Sequence, residues 1–533
     1  MDAAKLSSFS AWMRSVGAKW DGVTMRASPD GQRGACVVAT RAVAEGTALL
    51  SLPKAAVLSV RTASNSEALE AVLEAGLDAD AALNLAVAHE RGRGRASCWF
   101  GYLDTLPQAE PLPFLWSDAE LRLLAGTGLD TAARRRRREL EREYTELRQW
   151  RNANRTAGLV LPSLDAYLAA ASLTSSRAFH VDAWHGEALV PGADVFNHKA
   201  ALVPEGCEVE GKEGEEGEEG EEGEEGEEEE EAEAEEGEEE EEGEGEGEGE
   251  EEGDAVRLAD ADLREGARLA AERLGIDLRM DCTLHNLGAE ADKAEEAAAA
   301  ADEEAEVVAM RAMRPLRRGA EVFNTYGEHG ERVLLSQYGF VLGSAHNAMD
   351  VAPLPWATLR AALDAALGAA AARRREHDLR AIGSWRRVLG RGAFAFDRLG
   401  RPPRRLLLAA WLLCADGAVH GAEAEAEAEA DRFLALPLAS QLAPSGVRVS
   451  PRAVLLEAVR AQARRLDEAA PTTTVHEAAD EGAVRPQVAR DAATLVEGQR
   501  AIWRAAEEQL GAGAEQEAAT QRRGGTKRQR EQK

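Results

Sequence analysis

The sequence predicts an α+β fold: a β-rich first domain interrupted by a helical insert, then an all-α C-terminal lobe. Three observations predict it. β-prone runs with turn signals beside them stand at 35–40, 47–52 and 307–310. Between the second and third, residues of roughly 65–175 place apolar side chains at helical spacing. Beyond Asn347 the chain turns helical and rich in Ala, Leu and Arg.

Each element follows from its own residues. Phe9-Ser10-Ala11-Trp12-Met13 is a first helix rather than a signal-peptide core, and a transit peptide is not expected before it. Residues 35–40 and 47–52 are expected as two short strands about the Glu45-Gly46 turn, the second stopped by Pro53. In the insert, Leu83, Leu85 and Ala86 share one face, and Leu121, Leu123 and Leu124 another. Residues 134–150 are a charged, solvated helix in which Glu139 repels Glu143 and Glu141 meets neutral Thr145. Val307-Val308-Ala309-Met310 is a returning strand. Residues 406–414 form a buried helix, 422–430 a solvated Glu/Ala loop, and 513–533 a mobile basic tail.

A chain of 533 residues has room for two domains plus insertions, and 44% apolar residues can supply their cores. The net charge of -33 belongs to one segment. Residues 213–254 hold 29 acids and no Lys or Arg, which leaves 67 acids against 63 bases elsewhere. The Glu/Gly tract 211–253 cannot bury apolar surface, so disorder is expected there, within an expanded loop 199–304. It is a solvated spacer or, in the sharper reading, an electrostatic bait for basic proteins. Direct nucleic-acid binding is not expected. The five cysteines are odd in number and lack a C-x-x-C pair. That argues for a reducing compartment and against a disulfide framework or a metal site. No apolar run approaches the roughly 18 residues that a membrane span requires. The short cluster Lys527-Arg528-Gln529-Arg530 leaves the nucleus open beside the cytoplasm. A monomer is expected.

Two blocks carry the chemistry. One is Gly192-Ala193-Asp194-Val195-Phe196-Asn197-His198. The other is Gly319-Ala320-Glu321-Val322-Phe323-Asn324-Thr325-Tyr326-Gly327-Glu328, followed by Tyr338-Gly339-Phe340. With Trp99-Phe100-Gly101-Tyr102-Leu103-Asp104-Thr105-Leu106-Pro107, Ser176-Arg177-Ala178-Phe179 and Ala470-Pro471-Thr472-Thr473-Thr474, they resemble the SET-domain protein methyltransferases. The resemblance is to the branch of the Rubisco large-subunit lysine methyltransferase. It covers roughly 8–200 and 305–512.

The resemblance implies a SET domain over 8–345 with a knot-like crossing, and a substrate-binding lobe over 346–512. It implies S-adenosylmethionine (AdoMet) as cofactor and a protein with an exposed lysine as substrate. Arg33 and Gly34 occupy the place of the glycine-rich cofactor loop. Arg177, Asp194, Asn197 and His198 resemble the cofactor-binding residues, with Arg61-Thr62-Ala63 as another such stretch. Tyr326 lines the meeting point of methyl donor and target. Phe179, Ala193 and Tyr338 resemble walls of the target pocket.

The chemistry agrees with these residue types. Methyl transfer to lysine needs donor and amine collinear at near-attack distance. It also needs a neutral amine, and neutralising a free lysine at pH 7 costs roughly 4–5 kcal/mol. An apolar aromatic channel lowers that cost by desolvating the ammonium, while its ring faces recognise the cationic forms. A histidine methyltransferase of the same fold is an alternative, but an imidazole would want a hydrogen-bond partner where Phe179 and Ala193 stand. A non-catalytic binder with an acidic arm is the other. A degenerate site would be expected to have lost some of Arg177, Asn197, His198 and Tyr326.

Overall fold

The computed structural model describes residues 3–28, 34–155, 158–204, 262–286, 307–343, 345–380, 393–415, 432–444, 446–469 and 484–531. The acidic tract, Arg33, the Glu/Ala run 422–430 and the Pro471-Thr472-Thr473 segment lie outside the described residues. The chain divides into two compact units. The first draws on 1–213, 271–350 and 468–498, the second on 214–270, 351–467 and 499–533.

The first unit begins with helix α1 (Ala3–Ser15) and strands β1 (Lys19–Trp20), β2 (Val23–Ala27), β3 (Ala35–Ala39) and β4 (Ala48–Pro53). The helical insert follows as α2 (Ser66–Glu74), α3 (Ala79–Arg93), α4 (Phe100–Leu103), α5 (Asp118–Leu121), α6 (Leu129–Ala153) and α7 (Leu164–Arg177). The strands β5 (Ala178–His180), β6 (Glu187–Leu189), β7 (Cys282–Asn286) and β8 (Val307–Ala312) complete the set. The main sheet is antiparallel in the order β1-β4-β8-β7, with Lys19 opposite Ser51, Pro53 opposite Val307 and Cys282 opposite Ala312.

Two strand expectations need correction. The strands at 35–39 and 48–53 exist, but they do not pair with each other. β3 pairs with β2 through Val23–Ala39, and β4 takes β1 and β8 as its neighbours. Each strand pairs along its length with these neighbours, a choice that the local Glu45-Gly46 turn does not reveal. The stretch 199–304 is not a loop throughout, because Cys282–Asn286 forms the edge strand β7. Its Thr-Leu-His-Asn sequence alternates too weakly to declare itself beside Ala/Glu runs.

The core of this unit packs Phe9 and Met13 of α1 against Leu49, Leu50 and Leu52 of β4, all 1% exposed or less. Burying each such side chain is worth about 1.5–3 kcal/mol. α3 is buried around most of its circumference, from Ala81 to Ala88. α6 is more ion-paired than its sequence suggested. Arg135 meets Glu139 at 3.4 Å and Arg137 meets Glu141 at 2.9 Å, because i,i+4 spacing brings opposite charges onto one ridge.

The second unit holds the helices Trp356–Leu367, Arg404–Cys414 and Pro451–Ala469. It is not all-α. Strand β9 (Ala352–Pro355) pairs antiparallel with β10 (Ala393–Phe396). Phe394 and Phe396 alternate with alanine and are both buried, a period of two that the surrounding Ala-rich sequence obscured. The residues expected as a mobile tail continue the helix Pro486–Glu531. Among the described residues no helix is long and apolar enough to cross a membrane.

Candidate active site

The site is assembled where two chain segments lie side by side in parallel. Residues 196–199 run beside 323–326: Asn324 N–H donates to the Asn197 carbonyl at 3.0 Å, and Lys199 N–H donates to the Asn324 carbonyl at 2.9 Å. Cys282 N–H completes the third lane by donating to the Phe323 carbonyl at 3.2 Å. The approach to this paired stretch turns at Gly192, whose φ of +89° is left-handed. A Cβ there would stand 2.8 Å from Met13 Cε, so glycine is required on two counts.

Tyr326 lies at the centre. Its backbone N–H donates to His198 Nδ1 at 3.0 Å, and its phenol donates to the Phe196 carbonyl at 3.0 Å. Its ring is 4.9 Å from that of Tyr338 and 6.2 Å, edge-on, from that of Phe340. All three rings are half-buried. Tyr338 ends a π-helical turn, Leu334–Tyr338, and its phenol donates to the Tyr326 carbonyl at 3.2 Å. Burial holds the Tyr326 phenol above the usual range, with nearby Asp194 adding to the effect, so it stays protonated.

His198 is 5% exposed. Burial, assisted by His329, pushes its pKa down to about 3, so the imidazole is neutral. Because Nδ1 accepts from Tyr326, Nε2 carries the proton, and that atom is buried without a partner. Asn324 Oδ1 and His329 Nε2 are buried and unpartnered too. Orphaned donors and acceptors of this kind are costly unless something completes them. A nucleoside linked to an amino acid has both hydrogen-bond types to offer, so the residues present fit AdoMet.

Arg177 ends α7 between two carboxylates. Nε donates to Glu110 at 2.8 Å, and one terminal nitrogen donates to Asp194 at 3.1 Å. Burial alone would weaken its charge, but Glu110 and Asp194 outweigh it and the guanidinium is held protonated. Asp194 also accepts the buried Tyr102 hydroxyl at 2.9 Å. Burial raises its pKa, with Arg177 opposing. Asn197 Nδ2 donates to Glu321 at 2.8 Å and to the Ala35 carbonyl at 3.3 Å.

The structure thus brings together Asp194, Asn197, His198, Tyr326 and Tyr338, with Arg177 bound to Asp194. Gly34 precedes the Ala35 carbonyl that meets Asn197 and has open space where a side chain would be. Phe179 is a half-buried residue of β5 packed on the core, and Ala193 is fully buried in the 3-10 turn Ala193–Val195. The sequence did not single out Glu110, Glu321 or His329. Glu110 carries no local signal, since its partner stands 67 positions away. Among the described residues no His, Cys, Asp and Glu cluster is placed to hold a metal ion.

Comparison with known proteins bears on the fold. No family model matches the sequence. The chain is 33% identical over 205 residues to ribosomal lysine N-methyltransferase 3 of Saccharomyces cerevisiae, covering 33% of this chain and 36% of that protein. It is 30% identical over 146 residues to actin-histidine N-methyltransferase of Drosophila melanogaster, covering 27% and 26%. The chain therefore spans well under half the length of these relatives. The crystal structure of the SET domain of LSMT bound to lysine and AdoHcy superposes with a TM-score of 0.55 at 15% identity, over 96% of this chain and 91% of that one. Rubisco LSMT bound to AdoMet gives 0.54 at 15%, over 95% and 92%. The structural likeness places this chain in the fold of the LSMT SET-domain structures.

Proposed function

We propose that this chain is a protein-lysine N-methyltransferase that uses AdoMet. The observation that carries this reading is the Tyr326 phenol, fixed where 196–199 run beside 323–326, with its ring 4.9 Å from that of Tyr338. AdoMet supplies an electrophilic methyl group when bound. Gly34, Arg177, Asp194, Asn197 and His198 are the residues proposed to hold it, together with Arg33, which lies outside the described residues. The parallel run of 196–199 beside 323–326 is compatible with the knot-like crossing that the SET resemblance implies.

Tyr326 acts by orientation rather than as a base. Its hydroxyl proton is committed to the Phe196 carbonyl, so its lone pairs are left to accept from the target amine. The half-buried rings of Tyr326, Tyr338 and Phe340 desolvate that amine and favour its neutral, nucleophilic form. Phe179, half-buried, is proposed as an apolar wall, which suits a flexible lysine arm better than an imidazole, whereas Ala193 is fully buried and offers no surface of its own. The acidic tract is proposed to recruit basic proteins, outside the chemistry.

Titration calorimetry of AdoMet into wild type and Asn197→Ala tests the cofactor site. Binding is expected in the wild type and a loss of roughly tenfold or more in the variant, since a buried polar contact of about 1.4 kcal/mol or more is removed. Labelled AdoMet with cell extract, followed by mass spectrometry, then locates the methylated residue. A modified histidine and no modified lysine would overturn the substrate assignment. Absent cofactor binding in the wild type would overturn the enzyme reading.

A further inference from the structure

Tyr338 and Phe340 reach Tyr326 on a loop that one buried acid closes. The loop runs from the single helical turn Glu331–Val333 through the π-helical turn Leu334–Tyr338 and back past Phe340. At its neck the Leu342 N–H donates to Glu331 Oε2 at 2.8 Å. The Glu331 N–H donates in turn to Asp350 Oδ1 at 3.1 Å, which ties the neck to the following stretch of chain. Glu331 and Asp350 are 1% and 2% exposed, so two acids are buried within one hydrogen bond of the same backbone unit. Around them the Asn347 amide donates to the His329 carbonyl at 3.1 Å, and Arg332 donates to the Thr127 carbonyl. A Cβ on Gly498 would stand 3.1 Å from Asp350 Oδ2, so the helix Pro486–Glu531 approaches there with a residue that has no side chain. Glu331 Oε1 is buried with no hydrogen-bond partner among the described residues. Burial first, and the charge of Asp350 second, push the Glu331 pKa up to about 8, which leaves the carboxyl mostly uncharged at neutral pH.

We propose that Glu331 is a positioning residue for methyl transfer: its uncharged carboxyl closes the loop 331–342 and so holds the Tyr338 and Phe340 rings beside Tyr326. This rests on reading those rings as the lysine site. Glu331 acts through the loop and not on the reacting atoms. Once ionised, it is a second buried negative charge beside Asp350, and the neck opens to let water reach it. The rings then part from Tyr326, and the site loses the faces that recognise a methylammonium. The acceptor site is thus closed while Glu331 keeps its proton and opens in alkali.

The test is a titration of Nα-acetyl-Nε-methyllysine amide into the full chain saturated with AdoHcy, with AdoHcy affinity measured separately. It is run at about pH 6.5 and about pH 9, a range over which the side-chain amine of the probe stays charged. The Tyr326 and Tyr338 phenols, held above their ordinary range, do not titrate there either. The wild type should bind the probe about tenfold more weakly at the higher pH, because an acid titrating near 8 then keeps its proton in roughly one molecule in ten. Glu331→Gln keeps an acceptor for the Leu342 N–H and cannot ionise. It should match the wild type at the lower pH and hold that affinity at the higher, whereas Glu331→Ala should be weaker at both. Asp350→Asn keeps an acceptor for the Glu331 N–H but removes the charge, so it should move the alkaline loss to higher pH. AdoHcy affinity should stay level throughout. A wild type with level probe affinity overturns the inference. So does a Glu331→Gln that keeps the alkaline loss or fails to fold, since the amide mimics the uncharged acid. A wild type that binds AdoHcy but not the probe at either pH overturns the lysine reading instead, and this inference with it.

Discussion

Tyr326 donates its phenolic proton to the carbonyl of Phe196 at 3.0 Å, across 130 positions of sequence. The bond orients the hydroxyl from one side only. Tyr326→Phe keeps the ring and its contact with Tyr338 but removes the oxygen. AdoMet affinity should stay within about threefold, while single-turnover methyl transfer should fall about a hundredfold or more, as for loss of one positioned hydrogen bond at a reacting centre. Retained turnover would remove Tyr326 from the reaction.

His198 predicts a pH dependence of stability. An unperturbed histidine titrates near 6.5 and folded His198 at about 3, so the unfolded chain takes up a proton that the folded imidazole refuses. Folding stability should therefore fall as pH drops from about 6.5 toward 3, by at most about 1.4 kcal/mol per pH unit from this residue. His198→Asn should flatten that slope, measured as denaturant midpoints at a series of pH values. An unchanged slope would place the effect elsewhere.

Arg177 is the counter-ion of two buried carboxylates, so its loss should cost more than loss of either partner. Arg177→Met leaves Glu110 and Asp194 without a cation, and unfolding should become easier by about 3–5 kcal/mol. Tyr102→Phe removes only one donor to Asp194 and should cost about 1–3 kcal/mol. Urea denaturation of the two variants gives the ranking, and a costlier Tyr102→Phe would contradict it.

Glu120 ties the insert to the start of the helix Pro486–Glu531. It closes a capping box with Ser117 and takes the Arg485 guanidinium at 2.7 and 3.1 Å. Burial would raise its pKa, but Arg485 and the Ser117 N–H hold it at about 2, below the ordinary glutamate value of 4.5. The stabilisation is present above pH 4.5 and is lost as pH falls toward 2. Glu120→Gln should lose that acid sensitivity. Hydrogen exchange in 484–495 should rise in the variant if the clamp holds this segment, and an unchanged pattern would count against it.

The pieces of the site that are contiguous in sequence were legible. Asp194 through His198 and Tyr326 through Phe340 announce themselves because turn residues, apolar approach and polar side chains fall within a few positions. What joins them was not. Nothing near Glu110 marks it as the partner of Arg177, and Glu321 gives no sign that it holds Asn197. Ion pairs across a fold leave no periodicity. Strand existence was likewise legible at 35–39, 48–53 and 307–312, but partner choice was not, because any apolar strand can pair with any other until the whole sheet is in place. The helix over 406–414 was plain from its unbroken apolar run, whereas β10 was hidden by alanines that suit a helix equally well.

The pairing of β4 with β8 has a consequence for how the protein is made. Pro53 meets Val307, and the acidic tract lies between them. During synthesis β4 leaves the ribosome long before its inner neighbour exists. At ordinary elongation rates the delay is roughly 10–50 s, ample time for an apolar strand edge to find a wrong partner. A nascent chain would gain from a strongly charged, self-repelling stretch emerging in that interval, since it keeps neighbouring copies apart until β8 arrives.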